Sequence, residues 1–121
     1  MGTHATIIKK EENVRTGTVF FKAIGLNYDG NIGHAGVILA KHYQEEETVN
    51  ELFDLGNLSI LEKDPDRCIA YGRDRQRLNQ EAIIRRSIED IEKEYFTYLW
   101  QDEQWFVRLG DGEFIELEEK L

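Results

Sequence analysis

Residues 95–109 read YFTYLWQDEQWFVRL, two runs rich in aromatic and apolar residues broken by four polar ones. Such runs favour strands, and so short a spacer lets them fold back on each other. Residues 95–100 and 105–109 are therefore expected as a hairpin turned through Gln101, Asp102, Glu103 and Gln104. Gly110, Asp111 and Gly112 turn the chain again into residues 113–117, which makes the C-terminal part an aromatic β-meander.

Two further strands are expected near the N-terminus, over residues 5–9 and 18–28, with Glu11, Glu12 and Asn13 suited to the turn between them. In the second, Val19, Phe21 and Ala23 fall on one face, and Phe20, Ile24 and Leu26 mostly on the other. Gly25 within it marks a bulge or a close backbone approach. After an Asp29-Gly30 turn, residues 34–43 read as a short helix and residues 49–55 as a second. Thr48 and Glu51 have capping-box spacing, Val49, Leu52 and Phe53 make an apolar stripe, and Gly56 stands where a left-handed C-terminal cap is needed. Residues 67–72 look like a third strand, 74–80 a polar loop and 82–86 a short fourth strand. Ser87 then caps a brief acidic helix running through Ile88 and Ile91. Strands at both ends with two or three short helices between them indicate an α+β fold with a mainly antiparallel sheet, built as a single domain over residues 1–121.

Charge is unevenly spread. The chain carries −9 overall, yet six of its eight arginines (Arg67, Arg73, Arg75, Arg77, Arg85 and Arg86) fall within residues 67–86. The large apolar and aromatic residues keep so charged a chain out of the disordered class. The apolar stretches fall short of the roughly 20 residues that cross a bilayer, and the N-terminus lacks the order of a signal peptide, so a cytoplasmic protein without membrane contact is expected. One cysteine excludes an internal disulfide. Cys68 suits a small buried position; a nucleophilic role needs a positioned base, and none is adjacent.

The sharpest local feature is Ala70-Tyr71-Gly72-Arg73-Asp74-Arg75. In an extended segment Arg73 and Arg75 point to one face, and their guanidinium forks suit a phosphate or carboxylate. Together with Tyr71, and with His42 and Tyr43 at the end of the first helix, they form a candidate site for a phosphate-bearing small molecule such as a nucleotide. Against this stands simple pairing of the arginines with Asp66, Glu81 or Asp90. His34 and His42 are too far apart in sequence to share a metal ion without further ligands. Gly30, Gly33 and Gly36 suit turn and helix-start chemistry rather than a phosphate loop, because no Walker lysine follows. Trp100, Trp105, Tyr95 and Phe106 serve as core and cross-strand residues or as base-stacking platforms.

The carboxylates Glu89, Asp90, Glu92, Glu94, Glu116, Glu118 and Glu119 form a candidate acidic binding surface. Acidic surfaces can imitate the phosphate rows of DNA and occupy a basic groove on a protein partner, whereas the net charge disfavours direct binding of nucleic acid. No spacing specifies a catalytic constellation or a cofactor, so a non-enzymatic role is expected. Aromatic edge strands also allow a symmetric homodimer.

From Tyr28 to Leu109 the order of features resembles a group of short, largely uncharacterised proteins of bacteriophages and prophages. The residues that carry the resemblance are Asp29 and Gly30; Gly36, Leu39, His42 and Tyr43; Leu55, Gly56, Leu58 and Ser59; Ala70, Tyr71, Arg73, Asp74 and Arg75; and Tyr95, Tyr98, Leu99 and Trp105. Members of the group often place glycine after Arg-Asp-Arg, where this chain has Gln76. The resemblance implies a phage or prophage accessory protein, such as one that binds and inhibits a host nucleic-acid-processing or defence protein, and it implies no catalytic mechanism.

Overall fold

A computed structural model of the chain describes residues 2–121. It is α+β: a mixed eight-stranded sheet with two short α-helices. The strands are β1 (Ala5–Glu12), β2 (Val19–Leu26), β3 (Leu58–Ile60), β4 (Ile69–Ala70), β5 (Ile83–Arg85), β6 (Phe96–Gln101), β7 (Gln104–Leu109) and β8 (Ile115–Glu116). The helices are α1 (Val37–His42), entered through a wide π-helical turn at Ile32–Gly36, and α2 (Glu46–Asp54). Along the sheet the order is β4-β3-β2-β1-β6-β7-β8, and β5 pairs with β2 beside that path.

Most neighbours are antiparallel, as expected, but two pairs are parallel. β1 runs alongside β6, with Ile7 opposite Tyr98, and β2 meets β3 at Leu26 and Leu58. The C-terminal meander forms with Trp100 directly opposite Trp105, their rings 5.2 Å apart at 60°. Both are buried, as core and cross-strand residues. Their indole N–H groups are satisfied by the Glu46 carboxylate (2.9 Å) and the Tyr43 carbonyl (2.8 Å), which ties the hairpin to both helices. The hairpin turn is tighter than the four polar residues implied: β6 and β7 extend to Gln101 and Gln104. Asp102 and Glu103 alone make the turn, with φ of 53° and 57°. Two positive φ values match the twist of the flanking strands.

Alternation along the strands gives the sheet two unlike faces. Ile7, Ile24, Tyr98 and Val107 pack with Leu39 of α1, Val49, Leu52 and Phe53 of α2, and Leu117. Ile8, Ala23 and Leu99 on the other face form a smaller apolar cluster with Ile91, the partly buried Ile88 beside it, and the aromatic rings of Phe21, Phe106 and Phe114. Two glycines permit close packing: Gly30, where a Cβ would lie 2.7 Å from that of Ala5, and Gly56, whose φ of 76° ends α2 as expected.

The start of α2 corrects the sequence reading. Glu45 is the N-cap and Thr48 lies inside the helix, so Thr48 and Glu51 form no capping box. Glu46 and Glu47 instead favour the positive end of the helix, and Glu46 is drawn towards β1 by Lys9 Nζ, 2.7 Å away. Ser87 does cap the Ile88–Asp90 turn, its side chain accepting from Glu89 N at 3.2 Å.

Candidate functional site

The arginine-rich segment does not run extended. Asp74 N donates to the Ala70 carbonyl at 2.9 Å, Arg77 N donates to the Tyr71 carbonyl at 3.0 Å, and Asp74 Oδ2 accepts from Ala70 N at 2.8 Å. The carboxylate of Asp74 thereby curls the chain that alternation had drawn straight. It also holds Arg73 through two parallel bonds of 2.9 Å, while the same guanidinium donates to the carbonyls of Pro65 (3.2 Å) and Cys68 (2.6 Å). The Arg73 guanidinium is the main reason the Asp74 carboxyl stays below its usual range. Arg73 thus clamps the turn before β4. Together with Arg67, which pairs with Asp64 at 3.3 Å, it faces a depression that also holds Glu51, Asp54 and Asp66, so carboxylates already answer both cations there. The side-chain pairings differ from those considered for Asp66, Glu81 and Asp90.

The other residues of the candidate anion site are scattered. Tyr43 is fully buried, its hydroxyl donating to the Glu62 carbonyl at 2.8 Å and lying 3.5 Å from Cys68 Sγ. Burial raises the pKa of both groups, so Cys68 is a core thiol. His42 is exposed at the end of α1, and Arg75 is exposed with no ion-pair partner among the described residues. Only Tyr71 borders a cavity, and the arginine beside it is Arg77, whose guanidinium carbon lies 4.7 Å from the ring centroid.

That cavity, about 380 Å³, arises from the way β2 changes partners. Along the edge of β2 remote from β1, Phe21 to Ala23 pair with β5 and Leu26 with β3. Between them the Gly25 N–H has no strand to meet, and Asn57 supplies the missing acceptor through Oδ1 at 2.9 Å. The Asn57 backbone fixes both flanks: its N–H donates to the Gln80 carbonyl (2.8 Å) and its carbonyl accepts from Tyr71 N (3.1 Å). These bonds tie the cavity wall to the chain on both sides. Asn27, Tyr71 and Arg77 stand on one side, and His4, Glu92 and Glu94 also line the space, with His4 Nδ1 3.8 Å from Glu94 Oε1. Asn27 Nδ2 donates to the Tyr71 hydroxyl. Sequence reading missed Arg77 in favour of Arg73. The available signal was Asp74, an adjacent carboxylate that satisfies Arg73 locally.

The seven candidate partner-binding carboxylates come from two stretches of chain. Glu89 and Asp90 lie in the Ile88–Asp90 turn and Glu92 and Glu94 follow it, whereas Glu116, Glu118 and Glu119 lie at β8 and the Leu117–Lys120 turn after it. Glu118 joins Asp102, Glu103 and Gln44 around a second cavity, about 420 Å³, which Trp100, Trp105, Ala40 and Leu117 also line. Among the described residues, no lysine or arginine borders that cavity.

Opposite Trp100 in the sheet, Lys9 is buried at 2% exposure on β1, where Glu11 and Glu46 both receive its ammonium. Burial disfavours its charge, but hydrogen bonds to the two carboxylates outweigh that and raise its pKa. The bond from Lys9 lowers that of Glu46. Among the described residues, no three His, Cys, Asp or Glu side chains gather as a metal site, and no helix is long and apolar enough to cross a membrane. The chain matches no protein-family model, no curated protein and no solved structure.

Proposed function

We propose that this is a non-enzymatic, cytoplasmic binding protein that docks on a basic surface of a protein partner, using the acid-rimmed tryptophan cavity as its anchor point. The observation that carries this reading is the pairing of Asp102, Glu103 and Glu118 with the indoles of Trp100 and Trp105 around one opening. A lysine or arginine from a partner would set its charged head among the three carboxylates, while the indoles buried beneath hold the shape of the opening. Each exposed charge contributes little alone, so the rim acts as a group and mainly speeds association.

A phage or prophage accessory protein that inhibits a host nucleic-acid-processing or defence protein fits this chemistry, since proteins that bind nucleic acid carry basic grooves. The resemblance running from Tyr28 to Leu109 supports that origin. The loop geometry agrees with it at one departure: Gln76 has a φ of 54°, the left-handed region that glycine adopts most readily. The test is capture of host proteins at low salt on the immobilised chain, followed by binding measurements with the purified partner. Reversal of Asp102, Glu103 and Glu118 to lysine together should weaken binding at least tenfold, and added salt should do the same. Binding that ignores both changes would sink the proposal, and loss confined to reversal of Glu89, Asp90 and Glu92 would move the docking surface to the other end.

A further inference from the structure

We infer that the cavity on the split edge of β2 binds a phosphate carried on a small hydroxyl-rich body, a sugar phosphate or a mononucleotide. Its volume, about 380 Å³, lies in the lower part of the range of small-molecule sites, enough for a ligand of that size and little more. Arg77 provides the phosphate end. Unlike Arg73 it has no ion-pair partner among the described residues, and its guanidinium carbon sits 4.7 Å from the Tyr71 ring centroid, a contact that leaves N–H groups to donate to a phosphate.

The polar groups around Arg77 are pre-set. Because Asn27 Nδ2 donates to the Tyr71 oxygen, the phenol proton is left to donate outward and the Asn27 carbonyl oxygen is left to accept. Glu92 and Glu94 add acceptors that pair with no arginine or lysine among the described residues; His4 lies near Glu94. Carboxylates in that state need donors, and the hydroxyls of a sugar supply them. One cation with two carboxylates selects against a bare anion, which the carboxylates would repel, and against a simple cation, which Arg77 would repel.

Gly25 completes the argument. It has no positive φ, and a Cβ built on it would meet only Asn57 Oδ1, at an ordinary 3.7 Å. Neither backbone conformation nor packing requires glycine in this strand, so the room its missing side chain leaves is room in the cavity. Filling it is a direct test.

Titration calorimetry of the full chain with ribose 5-phosphate, adenosine monophosphate, inorganic phosphate and ribose is the experiment. At least one of the two organic phosphates should saturate a single site, with inorganic phosphate and ribose each at least tenfold weaker. A tenfold advantage for adenosine monophosphate identifies a nucleotide site, and equal or weaker binding than ribose 5-phosphate identifies a sugar-phosphate site. Arg77→Gln and Gly25→Val should each weaken binding at least tenfold at an unchanged melting temperature, and Arg75→Gln should leave it within twofold. The inference is overturned if neither organic phosphate saturates, if inorganic phosphate binds as well as they do, or if Arg75→Gln matches Arg77→Gln. Should Gly25→Val lower the melting temperature, Arg77→Gln, an exposed substitution, decides alone. This site shares no residue with the tryptophan cavity, and calorimetry uses no protein partner, so the two proposals fail separately.

Discussion

One face of the sheet is closed and the other is open, and the two are made from alternate residues of the same strands. Ile7 and Ile24 look towards α1 and α2, while their neighbours Ile8 and Ala23 form a smaller cluster with Ile91, Ile88 and a few aromatic rings. The helices make one side a continuous apolar core, so stability concentrates there. A short turn and single side chains cannot cover a whole face, and the gap they leave beside β2 is where groups with spare hydrogen-bonding capacity collect.

The largest expected effect separates the faces directly. Leu52→Ala, at a fully buried position of α2, should cost about 2–5 kcal/mol in urea unfolding, whereas Ile91→Ala should cost less than about 2 kcal/mol because its turn can settle into the space. Equal losses would remove the distinction. Asn57→Ala should follow at about 1–3 kcal/mol, since it leaves the Gly25 N–H without an acceptor at the split edge. A negligible loss there would mean that water replaces the amide and the cavity wall is soft.

Within the arginine segment, Arg73→Ala should lower stability by about 1 kcal/mol by releasing the turn before β4, while Arg75→Ala should stay within about 0.5 kcal/mol of the parent. The smallest effect is a pH dependence on the closed side. Glu46 binds its proton less readily when folded than its ordinary 4.5, so the unfolded chain holds more protons in that window. Its contribution is present above 4.5 and lost as pH falls through the lower folded value. Melting temperatures measured through this range should decline less in Glu46→Gln than in the parent.

What could be read in advance was local. The hairpin, with a turn two residues shorter than expected, the glycine ending α2 and the serine before Ile88 depend on neighbours in sequence, and each formed. The convergence of Arg73 and Arg75 did not, because alternation assumes an extended chain and Asp74 bonds back onto Ala70 instead. The parallel pairing of β1 with β6 and the change of partner along β2 were not legible at all. They depend on which distant segments fill the same space, and no spacing of residues encodes that. The cavity inherits this difficulty, for its walls come from five separate stretches of chain.

The position of β1 also governs when the molecule can assemble. This strand lies between β2 and β6, and the register that sets Ile7 against Tyr98 joins opposite ends of the described chain. During synthesis the first hairpin must wait, with one of its edges unsatisfied, until β6 leaves the ribosome, a delay on the order of ten seconds at ordinary translation rates. Along that waiting hairpin Glu11 pairs with Lys9 and Lys22, and Lys10, without an ion pair among the described residues, keeps a charge that discourages pairing with other nascent chains before the native neighbour arrives.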